Sequence, residues 1–125
     1  MGEYRVRGGN RLKGEITVCG GKNAILPILA ATVLNDGVSV IHNCPKISDT
    51  YVAIEILKSI GCKVDFTEST IVVDSSFANS CAVPEYLVRE MRSSFIFLGG
   101  ILGRFQKVKI SYPGGCESER HPILR

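Results

Sequence analysis

The stretch GGKNAILPILAATVLND, residues 20–36, constrains the fold of this chain most strongly. A glycine pair precedes an apolar run, and Asn-Asp-Gly follows it as a turn. Proline lacks a backbone donor and is tolerated only near the start of a helix. Because Pro27 lies inside the run, the sequence predicts an apolar helix of about three turns that begins at Lys22 or Asn23.

Short runs of β-forming residues predict the strands. YRVRG and EITVCG, near the amino end, predict two strands broken by glycines, and VSVIH predicts a third. CKVDF and TIVVD predict a hairpin that turns at Glu68 and Ser69. KVKISY predicts a final strand that leads into a glycine loop.

Two further helices complete the pattern. Ser48 is expected to cap the helix DTYVAIEILKSI, which Gly61 ends. Pro84 is expected to open the next helix. The order of strand, helix, strand, helix, two strands, helix and strand predicts a mixed α/β fold. The last helix is expected to bury one apolar stripe, formed by Val88, Met91, Phe95, Leu98 and Leu102.

A faint internal repeat relates two parts of the chain with one constant offset. In each part an apolar helix runs into a strand that ends at a proline. The alternative is that the four matched positions coincide by chance. After the first proline the pattern continues with a helix and a hairpin, whereas few residues follow the second. The sequence therefore predicts a fragment, truncated within a second repeated unit. The matched positions are Ile28, Leu34, Val40 and Pro45 against Ile96, Leu102, Val108 and Pro113.

Composition excludes several classes of protein. Hydrophobic residues make up 45% and charged residues 22% of the chain, which excludes a disordered chain. The net charge of +3 suits an anionic small molecule and is too weak to indicate nucleic-acid binding. The charged start lacks the apolar core of a signal peptide, and no apolar run approaches the ~20 residues that span a bilayer. We therefore expect a soluble, cytoplasmic protein without a membrane partner.

The five cysteines form no C-x-x-C pair, and two histidines provide no zinc spacing. The sequence therefore predicts reduced thiols, no metal and no cofactor. Cys19, Cys44, Cys62 and Cys81 are bracketed by apolar or strand-like sequence and are predicted to pack in the core. Cys116 differs from these four, because it follows two glycines in the charged loop YPGGCESERHP.

The position of Cys116 permits two interpretations. A thiol near Arg120 and a histidine is a candidate nucleophile or proton donor. Glu117 and Glu119 favour the protonated thiol, which suits an acid better than a nucleophile. The alternative is an incidental exposed cysteine. His42 is expected to be structural, because it continues an apolar strand.

Two basic stretches are candidates for anion binding. GGKNA delivers Lys22 and Asn23 to a helix start, where free backbone N–H groups and the helix dipole favour phosphate or carboxylate. The alternative is a surface lysine beside a helix cap. In MRSS, Arg92 lies one position off the apolar stripe, so its guanidinium either reaches solvent or points into a cleft and binds phosphate.

These stretches together resemble the amino-terminal part of the UDP-N-acetylglucosamine enolpyruvyl transferases. The likeness runs through VRGG, KNAILP, SDTYVAIEILK, MRSSF, LGR and YPGGC and covers nearly the whole chain. The resemblance implies a fold of repeated βαβαββ units in two domains with the active site between them. Residues 1–21 would be strands that pack with the second domain, and residues 22–125 would form an incomplete first domain that ends in the catalytic loop.

The resemblance also implies a reaction and residue roles. The family transfers the enolpyruvyl group from phosphoenolpyruvate to the 3-hydroxyl of UDP-N-acetylglucosamine, the first committed step of bacterial peptidoglycan synthesis. Lys22 and Asn23 would bind phosphoenolpyruvate, and Arg92 would contact the sugar nucleotide. Cys116 would be the loop thiol that donates a proton and is alkylated by fosfomycin. The sequence departs from the family after Cys116: His121 stands where the family has arginine, and Arg120, a candidate for substrate binding, lies one position early.

Other functions remain open at this level. A chain that holds one wall of the cleft is expected to turn over weakly or not at all by itself. The related shikimate-pathway transferase is a rival, although the cysteine in PGGC argues against it. The alternative outside catalysis is a noncatalytic α/β remnant or binding module with an incidental loop thiol.

Overall fold

The computed structural model describes residues 2–90, 92–110 and 123–124 of the chain. Residues 2–19 contain no helix or strand, so the two strands predicted at YRVRG and EITVCG are wrong for this structure. A strand is stable when a neighbour pairs with its backbone and one face is covered. Tyr4, which is 96% exposed, and Val6, Ile16 and Val18 all lie in solvent. The division of the chain at residues 21 and 22 stays a prediction.

The first helix, α1, spans Lys22–Ala31 and begins where the sequence predicts. Pro27 lies inside it, so the helical bond to the carbonyl of Asn23 cannot form. A short 3-10 helix, Thr32–Leu34, continues it. One face of α1 is buried in the core through Ile25, Leu26, Leu29 and Ala30.

Three antiparallel strands form a sheet in the order β1-β3-β2, where β1 is Val38–Ile41, β2 is Lys63–Thr67 and β3 is Thr70–Asp74. The predicted hairpin is confirmed. Its turn places Glu68 in the left-handed region, with a φ of 56°. Ile71 and Val73 of β3 are fully buried, so one face of the sheet covers the helices.

Helix α2 spans Ser48–Ser59 and lies between β1 and β2 in the chain. Ile47 is its N-cap residue and Ser48 is already helical, so the prediction that Ser48 caps the helix is wrong. Gly61 ends the helix as predicted, with a φ of 105°. A Cβ at this position would lie 2.8 Å from the carbonyl oxygen of Phe77, which adds a steric reason for glycine.

The third predicted helix is interrupted. It consists of α3 (Glu85–Glu90), a 3-10 helix (Arg92–Phe95) and α4 (Ile96–Phe105). The predicted stripe is therefore only partly correct: Val88 is buried and Leu98 and Leu102 are partly buried against the core, but a 3-10 turn has about 3.0 residues instead of 3.6 and rotates the next helix. Met91 lies outside the described residues. Phe95 is 38% exposed, whereas Leu87, Val88, Phe97 and Ile101 are buried.

The helices pack together on one side of the sheet. Helix α1 contacts α2 and α4, and a Cβ at Gly100 of α4 would lie 2.5 Å from the carbonyl oxygen of Ala30. The predicted mixed α/β class is confirmed, and the repeat of βαβαββ units stays a prediction. The largest fully buried side chains include Phe97, Leu26, Leu29, Ile56, Leu57 and Ile60.

The predicted strand KVKISY is represented by β4, Val108–Lys109. It pairs antiparallel with β5, Ile123–Leu124. Lys109 also joins the segment before α3, because its N–H donates to the Cys81 carbonyl at 2.9 Å and its carbonyl accepts from Val83 at 2.9 Å. This bonding positions the chain that leads toward the predicted glycine loop.

Candidate anion-binding site at the start of helix α1

The glycine pair brings the chain into the folded body immediately before α1. The N–H of Gly20 donates to the carbonyl oxygen of Asn43 at 3.1 Å. A Cβ at Gly20 would collide with that same oxygen, so only glycine permits this approach. Asn43 has a φ of 58°, a conformation that asparagine tolerates better than most residues. The start of α1 is therefore held against the loop after β1.

Helix α1 begins without a side-chain cap. Gly21 is the N-cap residue, and its carbonyl accepts bonds from the N–H groups of Ala24 at 3.2 Å and Ile25 at 3.0 Å. Within the described ranges, the N–H groups of Lys22 and Asn23 have no protein acceptor. Unpaired N–H groups and the positive end of the helix dipole favour an anion at this position.

The Lys22 side chain adds a full positive charge. Its Nζ lies 3.5 Å from Oδ2 of Asp49, in the first turn of α2. The Lys22 side chain is 53% exposed and that of Asp49 is 25% exposed. The ammonium is therefore paired on one side and open to solvent on the other.

Asn23 follows Lys22 in the chain and lies on the exposed surface of α1. Its side-chain amide has no hydrogen-bond partner among the residues that the structure describes. An amide N–H₂ group supplies two donors that suit a carboxylate or phosphate. The two residues predicted for this site, which are neighbours in the sequence, are thus both accessible at the start of α1.

A cavity of about 140 Å³ lies beside the glycine pair. It is mostly apolar, and Ala24, Ile28 and Pro45 contribute to its walls. His42 borders the cavity, and its Nδ1 lies 3.2 Å from Oγ1 of Thr70 on the neighbouring strand. This contact agrees with the structural role predicted for His42. Lys22 and Asn23 do not line the cavity, although Gly21 and Ala24 on either side of them do, so the cavity adjoins the candidate anion site.

Of the other predicted site residues, the structure describes the backbone of one. Arg92 is the first residue of the 3-10 helix between α3 and α4, and its role in substrate binding stays a prediction. Cys116 and Arg120 lie outside the described residues, as does His121. The predicted catalytic thiol and the loop contacts therefore stay predictions.

The remaining cysteines differ from one another. Cys44 and Cys62 are buried, as the sequence predicts, and Cys81 is partly buried. Burial raises the pKa of the Cys44 thiol above its ordinary value and that of Cys62 to about 11. Cys19 is exposed, so its predicted role in packing is wrong. It belongs to the uncovered segment before α1, where the predicted strand does not form.

Sequence reasoning missed Asp49. The sequence SDT does show an acidic residue in the first turn of a predicted helix, where the helix dipole stabilises a carboxylate. Its contact with Lys22 depends on how α1 and α2 pack, which no local pattern encodes.

Among the described residues, no group of three His, Cys, Asp or Glu side chains is arranged to hold a metal ion. None of the helices described has the length and apolar character needed to cross a membrane.

Comparison with known proteins shows the family to which the chain belongs. A family model described as EPSP synthase (3-phosphoshikimate 1-carboxyvinyltransferase) matches residues 6–125. The chain is 52% identical over 123 residues to UDP-N-acetylglucosamine 1-carboxyvinyltransferase 2 of Caldanaerobacter subterraneus subsp. tengcongensis, across 98% of this chain and 30% of that protein. It is 44% identical over 124 residues to UDP-N-acetylglucosamine 1-carboxyvinyltransferase of Dichelobacter nodosus, with the same two coverages.

A solved structure gives the same relationship. The enolpyruvyl transferase NikO from Streptomyces tendae superposes with a TM-score of 0.75 and 29% sequence identity. The match covers 83% of this chain and 24% of NikO. The chain therefore spans less than a third of the length of these relatives.

Proposed function

The chain belongs to the EPSP synthase family of enolpyruvyl transferases, and from this premise we propose that it carries part of the active site of an enzyme acting on UDP-N-acetylglucosamine. In the proposed reaction the enolpyruvyl group of phosphoenolpyruvate is transferred to the 3-hydroxyl of the sugar, and phosphate is released. The names of the similar proteins support this choice of acceptor. The open, uncapped start of α1, with the Lys22 ammonium beside it, is the observation that carries the proposal.

Phosphoenolpyruvate suits this site because it carries a phosphate and a carboxylate on a small carbon skeleton. The Lys22 ammonium would balance its charge, and the amide of Asn23 would donate to one of its oxygens. The free N–H groups of the first helical turn would add fixed donors that need no reorganisation. The partly exposed ammonium leaves room for the ligand.

The remaining roles follow from the family resemblance. The 3-hydroxyl would lose its proton to a base and add through its oxygen to C2 of phosphoenolpyruvate, while the Cys116 thiol gives its proton to C3. Phosphate would then leave C2 of the tetrahedral intermediate as C3 loses a proton, which restores the carbon–carbon double bond. Arg92 and Arg120 would hold the sugar nucleotide. A thiol that remains protonated near neutral pH is required for this step.

Residues beyond those of this chain are expected to complete the reaction. The chain spans about 30% of its relatives, and one wall of a cleft cannot hold two reactants in attack geometry. We therefore propose that this chain binds phosphoenolpyruvate weakly and has little or no turnover alone. The whole enzyme would act in the cytoplasm, in bacterial peptidoglycan synthesis.

An NMR titration tests the binding step. Phosphoenolpyruvate is added to the ¹⁵N-labelled chain, and we expect the backbone amides of Lys22 and Asn23 to shift most. Lys22→Met should remove these shifts, whereas Lys58→Met, which removes an equal charge from an exposed position of α2, should leave them unchanged. Shifts spread evenly over all lysines would contradict the proposal. A phosphate-release assay with both substrates tests the second part of the proposal. Robust turnover by this chain would refute the claim that it holds only part of the active site.

Fosfomycin labelling tests the thiol. Mass spectrometry should find an adduct at Cys116 in excess of any adduct at Cys19, which serves as an internal control because it is exposed. The buried thiols of Cys44 and Cys62 should stay unlabelled in the folded chain. Equal labelling of the two cysteines, or none, would favour a noncatalytic α/β module with an incidental loop thiol.

A further inference from the structure

We infer that Asp49 is a positioning residue that holds the Lys22 ammonium at the start of α1, ready for the anion. The inference rests on the proposed function, because it assigns Lys22 to phosphoenolpyruvate. Its structural basis is the ion pair between Lys22 Nζ and Asp49 Oδ2, at 3.5 Å, which joins the first turns of α1 and α2.

Asp49 is the fixed partner of this pair. Its side chain is short, and α2 anchors its backbone through Thr50, which is fully buried. The positive end of α2 also stabilises a carboxylate in the first turn. Packing between α1 and α2 sets where the carboxylate lies relative to Lys22.

Lys22 is the mobile partner. A lysine has a long flexible stem, and one that is half exposed samples many rotamers unless a contact restricts it. The carboxylate of Asp49 limits these rotamers before the ligand arrives, so less conformational entropy is lost on binding. The 3.5 Å separation is longer than a strong charge-assisted hydrogen bond, so donors of the ammonium stay available to a ligand.

Asp49 also repels an anion, which opposes this effect. Solvent reaches the site, and water and salt screen the interaction between the carboxylate and a ligand placed beyond the ammonium. The Lys22 ammonium, by contrast, contacts the ligand directly, so a gain in its positioning is not reduced by this screening. Positioning therefore outweighs repulsion, and the removal of the Asp49 charge should weaken binding.

The experiment is an NMR titration of the whole chain with phosphoenolpyruvate. Asp49→Asn should raise the Kd at the amides of Lys22 and Asn23 by about threefold to tenfold, the range expected for one mobile side chain. Glu55→Gln is the matched control, because it removes an equal charge from an exposed position of α2. Asp49→Ser provides a second neutral variant if Asp49→Asn folds poorly, and thermal denaturation verifies the fold of each.

A double-mutant cycle shows whether Asp49 acts through Lys22. In the Lys22→Met background, Asp49→Asn should cause no further weakening, whereas independent effects would add. Asp49→Glu should recover part of the lost affinity. If the unsubstituted chain binds but Asp49→Asn binds as well as Glu55→Gln, or more tightly, this inference alone fails. If the unsubstituted chain shows no shift at α1, the proposed role of Lys22 fails with it.

Discussion

The guanidinium of Arg104, near the end of α4, donates through Nη1 to the carbonyl oxygen of Val33 at 2.9 Å. Val33 lies in the 3-10 helix that follows α1, so this bond joins the carboxyl ends of two helices that are distant in the chain. The second nitrogen, Nη2, lies 3.5 Å from Asp36. The Arg104 side chain is 17% exposed. The contact fixes α1, whose start is the candidate anion site, against the rest of the core.

Substitution of Arg104 tests this connection. Arg104→Met should lower the free energy of unfolding by about 2 kcal/mol, because a charge-assisted bond is lost and the Val33 carbonyl loses a donor. Arg89→Met is the control, since Arg89 makes an exposed pair with Glu85 one helical turn away and should change stability by less than about 0.5 kcal/mol. Denaturation by urea measures both. Equal losses in the two variants would contradict the structural role of Arg104.

Two adjacent glycines in α4 should respond oppositely to alanine. In Gly100→Ala the new Cβ would lie 2.5 Å from the Ala30 carbonyl, so α1 and α4 must separate and stability should fall by about 1–3 kcal/mol. Gly99 faces open space, so Gly99→Ala should raise stability by about 0.5–1 kcal/mol through helix propensity. Thermal denaturation of both variants provides the comparison. Stabilisation by both would show that the helices do not pack as closely as described.

Two buried threonines differ in their hydrogen bonds. Thr32 donates to the Leu29 carbonyl at 2.6 Å, whereas the hydroxyl of Thr50 has no partner in the described part of the protein. Thr50→Val keeps the volume and removes an unpaired polar group, so stability should rise by about 1 kcal/mol. Thr32→Val removes a satisfied bond and should lower stability by about 1 kcal/mol. Urea denaturation should show opposite signs; destabilisation in both would mean that Thr50 has a partner.

The Cys62 thiol should make stability depend on alkaline pH. Burial raises the pKa of Cys62 from 9.0 to about 11, so the unfolded chain loses this proton before the folded chain does. The unfolded state then binds fewer protons, and the free energy of unfolding falls as pH rises from about 9 to 11, by about 3 kcal/mol in total from this group. Cys62→Ala removes this contribution, so its stability should fall less steeply over the same range. Urea denaturation at several pH values measures the difference, and identical slopes would contradict the raised pKa.

Local patterns were sufficient for several elements. The start of α1 at Lys22, the hairpin at Glu68 and the end of α2 before Gly61 follow from proline, turn and glycine chemistry within a few residues. These preferences act within a few residues, so they can be predicted without knowledge of the rest of the fold. The exposure of Lys22 and Asn23 at an uncapped helix start was predictable for the same reason.

Local sequence patterns were therefore enough to predict the mixed α/β class and the location of the candidate anion site. Tertiary structure alone decided that the strands predicted before Lys22 do not form and that Asp49 lies beside Lys22. It also decided that a 3-10 turn shifts the buried face of α4 to Phe97 and Ile101. The physical reason is that strand pairing, ion pairs between helices and helix rotation depend on partners distant in the chain, which no local pattern contains.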